Sequence, residues 1–442
     1  MKSRKKDSSP TIISDIYDGT IYRKKIQEGK LGDIFQISFS INVDGISPYE
    51  NSSWSIWPIW GICNEFHVDD RYKQENIFLL GMWADTREPT MNTYMNPFVK
   101  LWQQSYKNYN LSLGTVDIKV GTIILNMILD LKAKSPIQNM KQHNAYFGCS
   151  FCKQPGEHTD HHYFPYKKTW GNYLRTHMDH LEIIQQLTED PSKESIDGVK
   201  GWSVLLDIPD FDIIHCCVLE GMHCFWLNIT DQFCSLWFNS KYHSKSWYLG
   251  KREVLETMDN IIGNIQIPYE ITSNPKLISK RKKWKAYDMR NWCFYFSIPL
   301  LSGTLSPNYF QHWVIFVKIM LLSNTSTILK ENLIEIQLLC EKFVLHSGKL
   351  YGSEEIKICI HQLLHLSSDL KMNGPIWTHN SFYFENMGKL LKQMHFTTGK
   401  ISIDTVEQIN SYQKIISKTF DSTNKDVNKL LSNLQGPQYV QR

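Results

Sequence analysis

From Phe35 to Asp44 apolar and polar residues alternate almost without error. Phe35, Ile37, Phe39, Ile41 and Val43 fall on one side, Gln36, Ser38, Ser40, Asn42 and Asp44 on the other. A period of two over ten residues predicts a strand with one buried face, and Asp44 closes it on the polar side. Gly45 and Pro48 then turn the chain. Trp54–Cys63 and Ile77–Trp83 read as two further apolar strands, with Pro58 marking an edge or a bulge in the first. Thr90–Tyr109 carries helical periodicity, and Val116–Leu129 reads as a strand running into Asp130. After Asp130 the pattern changes. Residues 131–170 are irregular and rich in His, Gly and Pro. From Leu174 to Leu350 the spacing is mostly helical, broken by the polar loops DPSKESIDG and SNPKLISKRKK. A helix over 353–371 opens at Ser353 with Glu354 and Glu355 in its first turn, where acids suit the helix dipole, and stops before Asn373-Gly374-Pro375. Beyond about Ser402 the chain is polar, and no internal repeat is present.

This order divides the chain into a basic and polar segment (1–30), a strand-rich unit (31–135), a Cys-bearing knuckle with a long helical stretch (136–352), a closing segment (353–401) and a polar tail (402–442). Three strands, a helix and a strand ending on an acid follow the order of a ribonuclease-H-like core. The fold class expected is therefore α/β, a mixed sheet interrupted by a large, mostly α-helical insertion.

At 442 residues, 42% hydrophobic and 21% charged, the composition is that of a globular protein, with 13% aromatics on the rich side. The net charge of +4 permits a nucleic-acid partner without arguing for one. The run Lys280-Arg281-Lys282-Lys283-Trp284-Lys285 and the N-terminal Lys2, Arg4, Lys5 and Lys6 read as readily as solvated loops or an import signal as they do phosphate contacts. Ten scattered cysteines are not a disulfide framework. The most apolar stretch, residues 313–322, is too short to span a bilayer. These features predict a soluble, intracellular, reduced protein with no membrane association.

Three acids far apart in sequence carry the chemistry: Asp44 in VDGISPY, Asp130 in MILDLKAK and Glu385 in FYFENMGK. Carboxylates brought together stay charged cheaply only around a cation, and magnesium or manganese prefers such oxygen ligands. Cys149 and Cys152 have the C-x-x-C spacing that lets two thiolates grip one zinc. His361 and His365, four apart on an expected helix, share a face. Together they form a Cys₂His₂ set, although His158 and His162 have the same spacing and lie closer to the cysteines. Asp207, Asp210 and Asp212, followed by His215, Cys216, Cys217 and His223, read as a turn leading into a buried helix rather than a metal cluster. No glycine-rich phosphate loop and no G-x-S-x-G motif occurs.

At these residues the chain resembles the transposases of the CACTA (En/Spm) group, animal type. The resemblance runs through VDGISPYENSSWSIWPI, LDLKAK with NAYFGCSFCKQPGEH and YFPY, PDFDIIHCCVLEGMH, and LYGSEEIKICIHQLLHL with GPIWTHNSFYFENMGKLLK, in that order. It implies a DDE catalytic core in which Asp44, Asp130 and Glu385 hold two Mg²⁺ or Mn²⁺ ions. It also implies that Cys149, Cys152, His361 and His365, rather than His158 and His162, hold a structural Zn²⁺ bracing the insertion. Cys149 follows Asp130 by 19 residues and Glu385 follows His365 by 20, so such a clip would be nearly symmetrical about the insertion. The implied activity is phosphodiester hydrolysis and strand transfer at transposon ends. The implied partners are double-stranded DNA and a second copy of the chain, and the implied location is the nucleus. Lys280–Lys285, Lys389 and Lys392 are the expected phosphate contacts. Lys132 departs from the proline usual after the second acid. Only 43 residues precede Asp44, so the large N-terminal region such transposases often carry is not among them. The alternative expectation is a domesticated or truncated transposase-derived protein that binds DNA or protein without catalysis.

Overall fold

A computed structural model describes residues 11–393, apart from 33–35, 49–52, 114–115, 268–270 and 272–273. The expectations for Phe35, the N-terminal basic cluster and the tail beyond Ser402 lie outside the described residues. The molecule is mixed α/β. Its strands are β1 (Ile12–Ile13), β2 (Gln36–Val43), β3 (Ser55–Cys63), β4 (Ile77–Asp85), β5 (Tyr109–Leu113), β6 (Val116–Ile128), β7 (Glu157–His158), β8 (His162–Tyr163) and β9 (Ile328–Leu329). Five of them form a mixed sheet in the order β4-β3-β2-β6-β5. β2 pairs antiparallel with β3 and parallel with β6, and β3 pairs antiparallel with β4. β5 and β6 form a hairpin; β6 is the strand expected from Val116, and β5, between it and the expected helix, was not expected.

The helix Met91–Asn108 crosses from β4 at one edge of the sheet to β5 at the other, and lays Met95, Val99 and Trp102 on one sheet face against Ile41, Val43, Ile123 and Met127. On the other face the helix Phe382–Gln393 sets Phe384, Met387 and Leu391 against Ile56, Trp60 and Ile62. β3 is internal to the sheet, not an edge. Pro58 is tolerated beside a register shift at Ile59/Trp60, so the bulge expectation holds.

The polar side of β2 is not solvated. Ser38, Ser40 and Asn42 are buried, and each has a partner. The Glu65 carboxylate accepts from Ser38 N (2.6 Å) and Oγ (2.9 Å), Ser40 Oγ donates to Asn64 Oδ1 (2.9 Å), and Asn42 Nδ2 donates to the Ile128 carbonyl (2.8 Å). Alternation marks two chemically distinct faces, but satisfied hydrogen bonds let the polar one go inside as well. Residues 12–27 also join the body of the protein: β1 pairs with β9, and Ile16, Ile21 and Tyr22 enter the core beneath the sheet.

Between the sheet's last strand and its closing helix lies the helical unit, with its own aromatic core around Trp226, Trp237, Trp292, Trp313 and Phe343. Two of its helical stretches, Met222–Thr230 and Trp292–Phe296, are π-helical and meet where Trp226 packs edge-on against Phe294, 5.2 Å between ring centres. The expected helix over 353–371 is broken into a 3₁₀ turn at Ser353–Glu355, an α turn at Ile358–Gln362, a second 3₁₀ turn at Leu363–His365 and the helix Leu366–Asn373.

Candidate metal centres

Parallel pairing sets the first two acids side by side. Asn42 of β2 is opposite Ile128 of β6, so Asp44 and Asp130 each stand two residues beyond the same rung, at the carboxyl ends of neighbouring strands. Asp130 opens the helix Leu131–Ile137, a stretch expected to be irregular, and its side chain accepts from Ala133 N at 2.6 Å. Glu385 sits in the first turn of Phe382–Gln393. That helix is anchored by Tyr383 stacked on Tyr72 (4.2 Å between ring centres) and by Tyr72 Oη donating to the Thr378 carbonyl.

Asp44 and Glu385 converge on His223, at the end of a stretch the sequence reads as a turn leading into a buried helix rather than as a metal cluster. Ligand atoms of Asp44, His223 and Glu385 all lie within 4.8 Å of one another, and all three residues are half-buried. Asp130 lies outside this set but acts on it electrostatically. Burial, with the Asp130 carboxylate and then Glu385 adding to it, pushes the Asp44 carboxyl up to about 7 against the pull of His223. The proximity of two or more carboxylates in a partly desolvated cleft is the condition under which a divalent cation binds.

His223 arrives by an unannounced route. Residues 216–218 run along the free side of β6 in the parallel sense, with Met127 N donating to Cys216 O (2.7 Å) and Val218 N to Met127 O (3.2 Å). Glu220 follows, buried at 4% exposure. One of its oxygens accepts from Met222 N and Ser381 N, and the other from His223 N and His223 Nδ1, all at 2.8 Å. Burial alone would disfavour the imidazolium. The Glu220 carboxylate, aided by Asp44 and Asp130, outweighs it and pushes His223 up to about 10. The legible signal was Glu220 three residues before His223 at a helix opening, where one carboxylate reaches both the backbone and the ring. The rest of that segment behaves as expected: Asp212 caps a turn through Ile214 N and His215 N, and Cys216 and Cys217 are buried thiols.

The second cluster is closed. Cys149, Cys152, His361 and His365 are all buried, at 0–3% exposure, with their ligand atoms gathered within 4.8 Å. Cys152 Sγ lies 3.2 Å from His361 Nε2 and Cys149 Sγ 3.6 Å from His365 Nε2. A tetrahedral ion with Zn–S of about 2.3 Å and Zn–N of about 2.0 Å requires about 3.5 Å between such ligands. The four residues can therefore hold a metal ion such as zinc. Although burial opposes ionisation, Cys152 and the two imidazoles hold the Cys149 thiol well below its usual range, as a metal ligand requires. His158 and His162 are not part of this set; they face each other across the β7–β8 hairpin, with ring centres 4.5 Å apart.

Two buried cations brace the knuckle. Arg175 Nε donates to the carbonyls of Cys149 (3.1 Å) and Cys152 (3.0 Å), and its Nη2 to Asp197 O (2.6 Å). Lys134, from the helix that Asp130 opens, donates to Val218 O at 3.0 Å and stands 3.9 Å over the Phe151 ring. Lys134 thus joins the second acid, the C-x-x-C turn and the strand leading to His223. Asp369 is a third brace: it accepts from Leu219 N (3.2 Å) and pairs with His379 Nε2 (3.1 Å), within the segment between His365 and Glu385.

Lys280, Lys282, Lys283 and Lys285 are exposed on the turn around Ile278–Lys283, and Lys389 and Lys392 on the closing helix. Lys132 pairs with Glu88 at 3.0 Å. No helix among the described residues is long and apolar enough to cross a membrane. No protein-family model matches the chain, and no curated protein matches it.

Proposed function

We propose that this chain is a DNA transposase catalytic core of the CACTA type, with a ribonuclease-H-like sheet that carries out phosphodiester hydrolysis and strand transfer. The observation that carries the reading is the meeting of Asp44 and Glu385, from opposite ends of the described chain, beside Asp130 at the carboxyl ends of two parallel strands. The sheet order and the crossover helix support it. So does the nesting of the Cys and His pairs between the second and third acids.

In this reading Asp44, Asp130 and Glu385 hold two Mg²⁺ or Mn²⁺ ions. Such ions, when bound, activate the attacking water or 3′-hydroxyl and stabilise the leaving oxygen. The protein's own contribution is placement. β2 and β6 fix Asp44 and Asp130 on a rigid sheet, and Glu220 and Tyr72 seat the helix that brings Glu385. The exposed lysines at 280–285, 389 and 392 are available to double-stranded DNA, at transposon ends and at the target. Assembly as a homo-oligomer on paired ends and a nuclear location belong to the same reading. The Cys₂His₂ cluster acts as a structural zinc that shortens the tether between Asp130 and Glu385.

The test is Mn²⁺-dependent nicking and strand transfer on plasmid DNA, comparing wild type with Glu385→Gln. Activity in the wild type that falls by about 10²- to 10³-fold or more in the variant supports the catalytic reading. Equal activity in both overturns it. No activity in either, with both proteins folded and zinc-loaded, favours a transposase-derived binding protein.

A further inference from the structure

The acid cluster differs from a set of three carboxylates in one respect: the residue within reach of both Asp44 and Glu385 is His223, while Asp130 has its side chain engaged at the Ala133 N–H. His223 cannot use Nδ1 towards the cleft, because that nitrogen is bonded to Glu220 at 2.8 Å. The nitrogen left for the cleft is Nε2, and an ion that binds there displaces its proton to solvent. A carboxylate bonded to one ring nitrogen, with the other facing an ion, is the arrangement that orients metal-binding histidines and raises their basicity.

Glu220 is placed to orient the ring rather than to bind an ion. Its two oxygens receive four N–H donors, from Met222, from Ser381, and from the backbone and ring of His223, so it has little left to offer an ion itself. The Ser381 bond has a further consequence. Glu385 N donates to Ser381 O (2.9 Å), so Glu220 sets the entry of the helix carrying Glu385 as well as the aim of the histidine.

We propose that His223 Nε2 is a metal ligand, completing with Asp44 and Glu385 a site of one nitrogen and two carboxylates that takes Mn²⁺ in preference to Mg²⁺, with Glu220 as its positioning residue. The inference rests on the reading of Asp44 and Glu385 as metal ligands. The preference follows from donor chemistry: Mg²⁺ keeps to oxygen and water, whereas later divalent ions accept imidazole readily.

Mn²⁺ binding to the full zinc-loaded chain, followed by electron paramagnetic resonance and titrated separately against Mg²⁺, tests this without any activity measurement. The wild type is expected to bind Mn²⁺ more tightly than Mg²⁺ and to show the spin-echo signature of a directly bound nitrogen. His223→Ala is expected to lose that signature and about tenfold in Mn²⁺ affinity while Mg²⁺ affinity stays within about threefold; Glu220→Gln is expected to weaken Mn²⁺ by 10- to 100-fold. Should His223→Ala fail to fold, the nitrogen signature of the wild type decides alone, and its absence overturns the proposal. Mn²⁺ affinity unchanged in His223→Ala but lost in Asp44→Asn overturns the histidine ligand and leaves the acid site standing. No Mn²⁺ binding by the wild type overturns both.

Discussion

The two clusters differ in closure. The Cys₂His₂ set is sealed at 0–3% exposure, walled by Phe151, Phe164 and Trp170, and provides the four donors a tetrahedral ion needs. The Asp44–His223–Glu385 set is half-buried, and burial and the neighbouring carboxylates push the Asp44 carboxyl up. A closed shell leaves an ion no position for substrate, so its free energy goes into folding; an open one leaves room for water and phosphate at the expense of stability. In the proposed reading one molecule thus separates a metal site that holds the fold from one suited to act, and Lys134 and Asp369 join the two clusters.

Removing the sealed ion should have the largest effect. One zinc per chain is expected by elemental analysis, and Cys149→Ser should abolish it. Stripping the zinc should lower Tm by more than about 10 °C, since structural zinc in small sites supplies about 10 kcal/mol or more of folding free energy. Removing Mg²⁺ or Mn²⁺ should move Tm far less. Equal shifts would erase the distinction between the clusters.

Arg175→Met comes next. The substitution keeps the bulk of the side chain but strands the carbonyls of Cys149, Cys152 and Asp197, each at about 1–3 kcal/mol when buried without a partner. A loss of about 3 kcal/mol by denaturant titration, with faster zinc release to a chelator, is expected. Unchanged stability would mean that the knuckle stands without its strap.

Acid should weaken the helical unit by a comparable amount. Burial holds His312, stacked on Phe343, and His180 neutral, each down at about 4. A histidine depressed from its ordinary 6.5 favours the folded state above 6.5. That stability is lost as pH falls from 6.5 towards 4, because only the unfolded chain takes up the proton in that window. Each histidine contributes on the order of 3 kcal/mol at most. Denaturation midpoints should therefore decline between pH 6.5 and 4 in the wild type and decline less in His312→Gln. A flat profile would contradict the burial of these rings.

Four strands of the sheet were legible because β2, β3, β4 and β6 each carry either a ten-residue alternation or a dense apolar run, signals that survive in any tertiary context; β5, Tyr109–Leu113, carries neither and was missed. Asp44 and Asp130 could be read as strand-end residues for the same reason. The spacing of Cys149 to Cys152 and of His361 to His365 proposed the sealed cluster, but spacing could not distinguish it from His158 and His162; the three-dimensional packing does. His223 was hidden because Asp44 and Glu385, which it meets in the cleft, are far from it in sequence. Nothing near it in sequence indicates that residues 216–218 will lie along β6, or that Ser381 will bond Glu220. The helix break between His361 and His365 was likewise invisible, since periodicity does not distinguish a 3₁₀ turn from an α turn.

The smallest expected effect is also the one that best separates stability from function. In the absence of divalent ions, the Asp44 carboxyl is held up at about 7 chiefly by burial and by Asp130, so its charge at neutral pH is unfavourable to folding. A raised folded pKa means that the folded chain keeps its proton where the unfolded chain has lost it. The folding penalty is therefore present above 7 and is relieved as pH falls towards the ordinary carboxylate range. Asp44→Asn removes that charge with little change in shape. It should raise stability at pH 8 by on the order of 1 kcal/mol, the partial exposure of the site and the nearby imidazolium reducing the full linkage value. Nicking should be abolished in the same protein. Gain of stability with loss of cleavage is the signature of a carboxylate kept for chemistry rather than for the fold. A variant less stable than wild type at pH 8 would instead make Asp44 a structural partner of His223, and the open cluster a second brace.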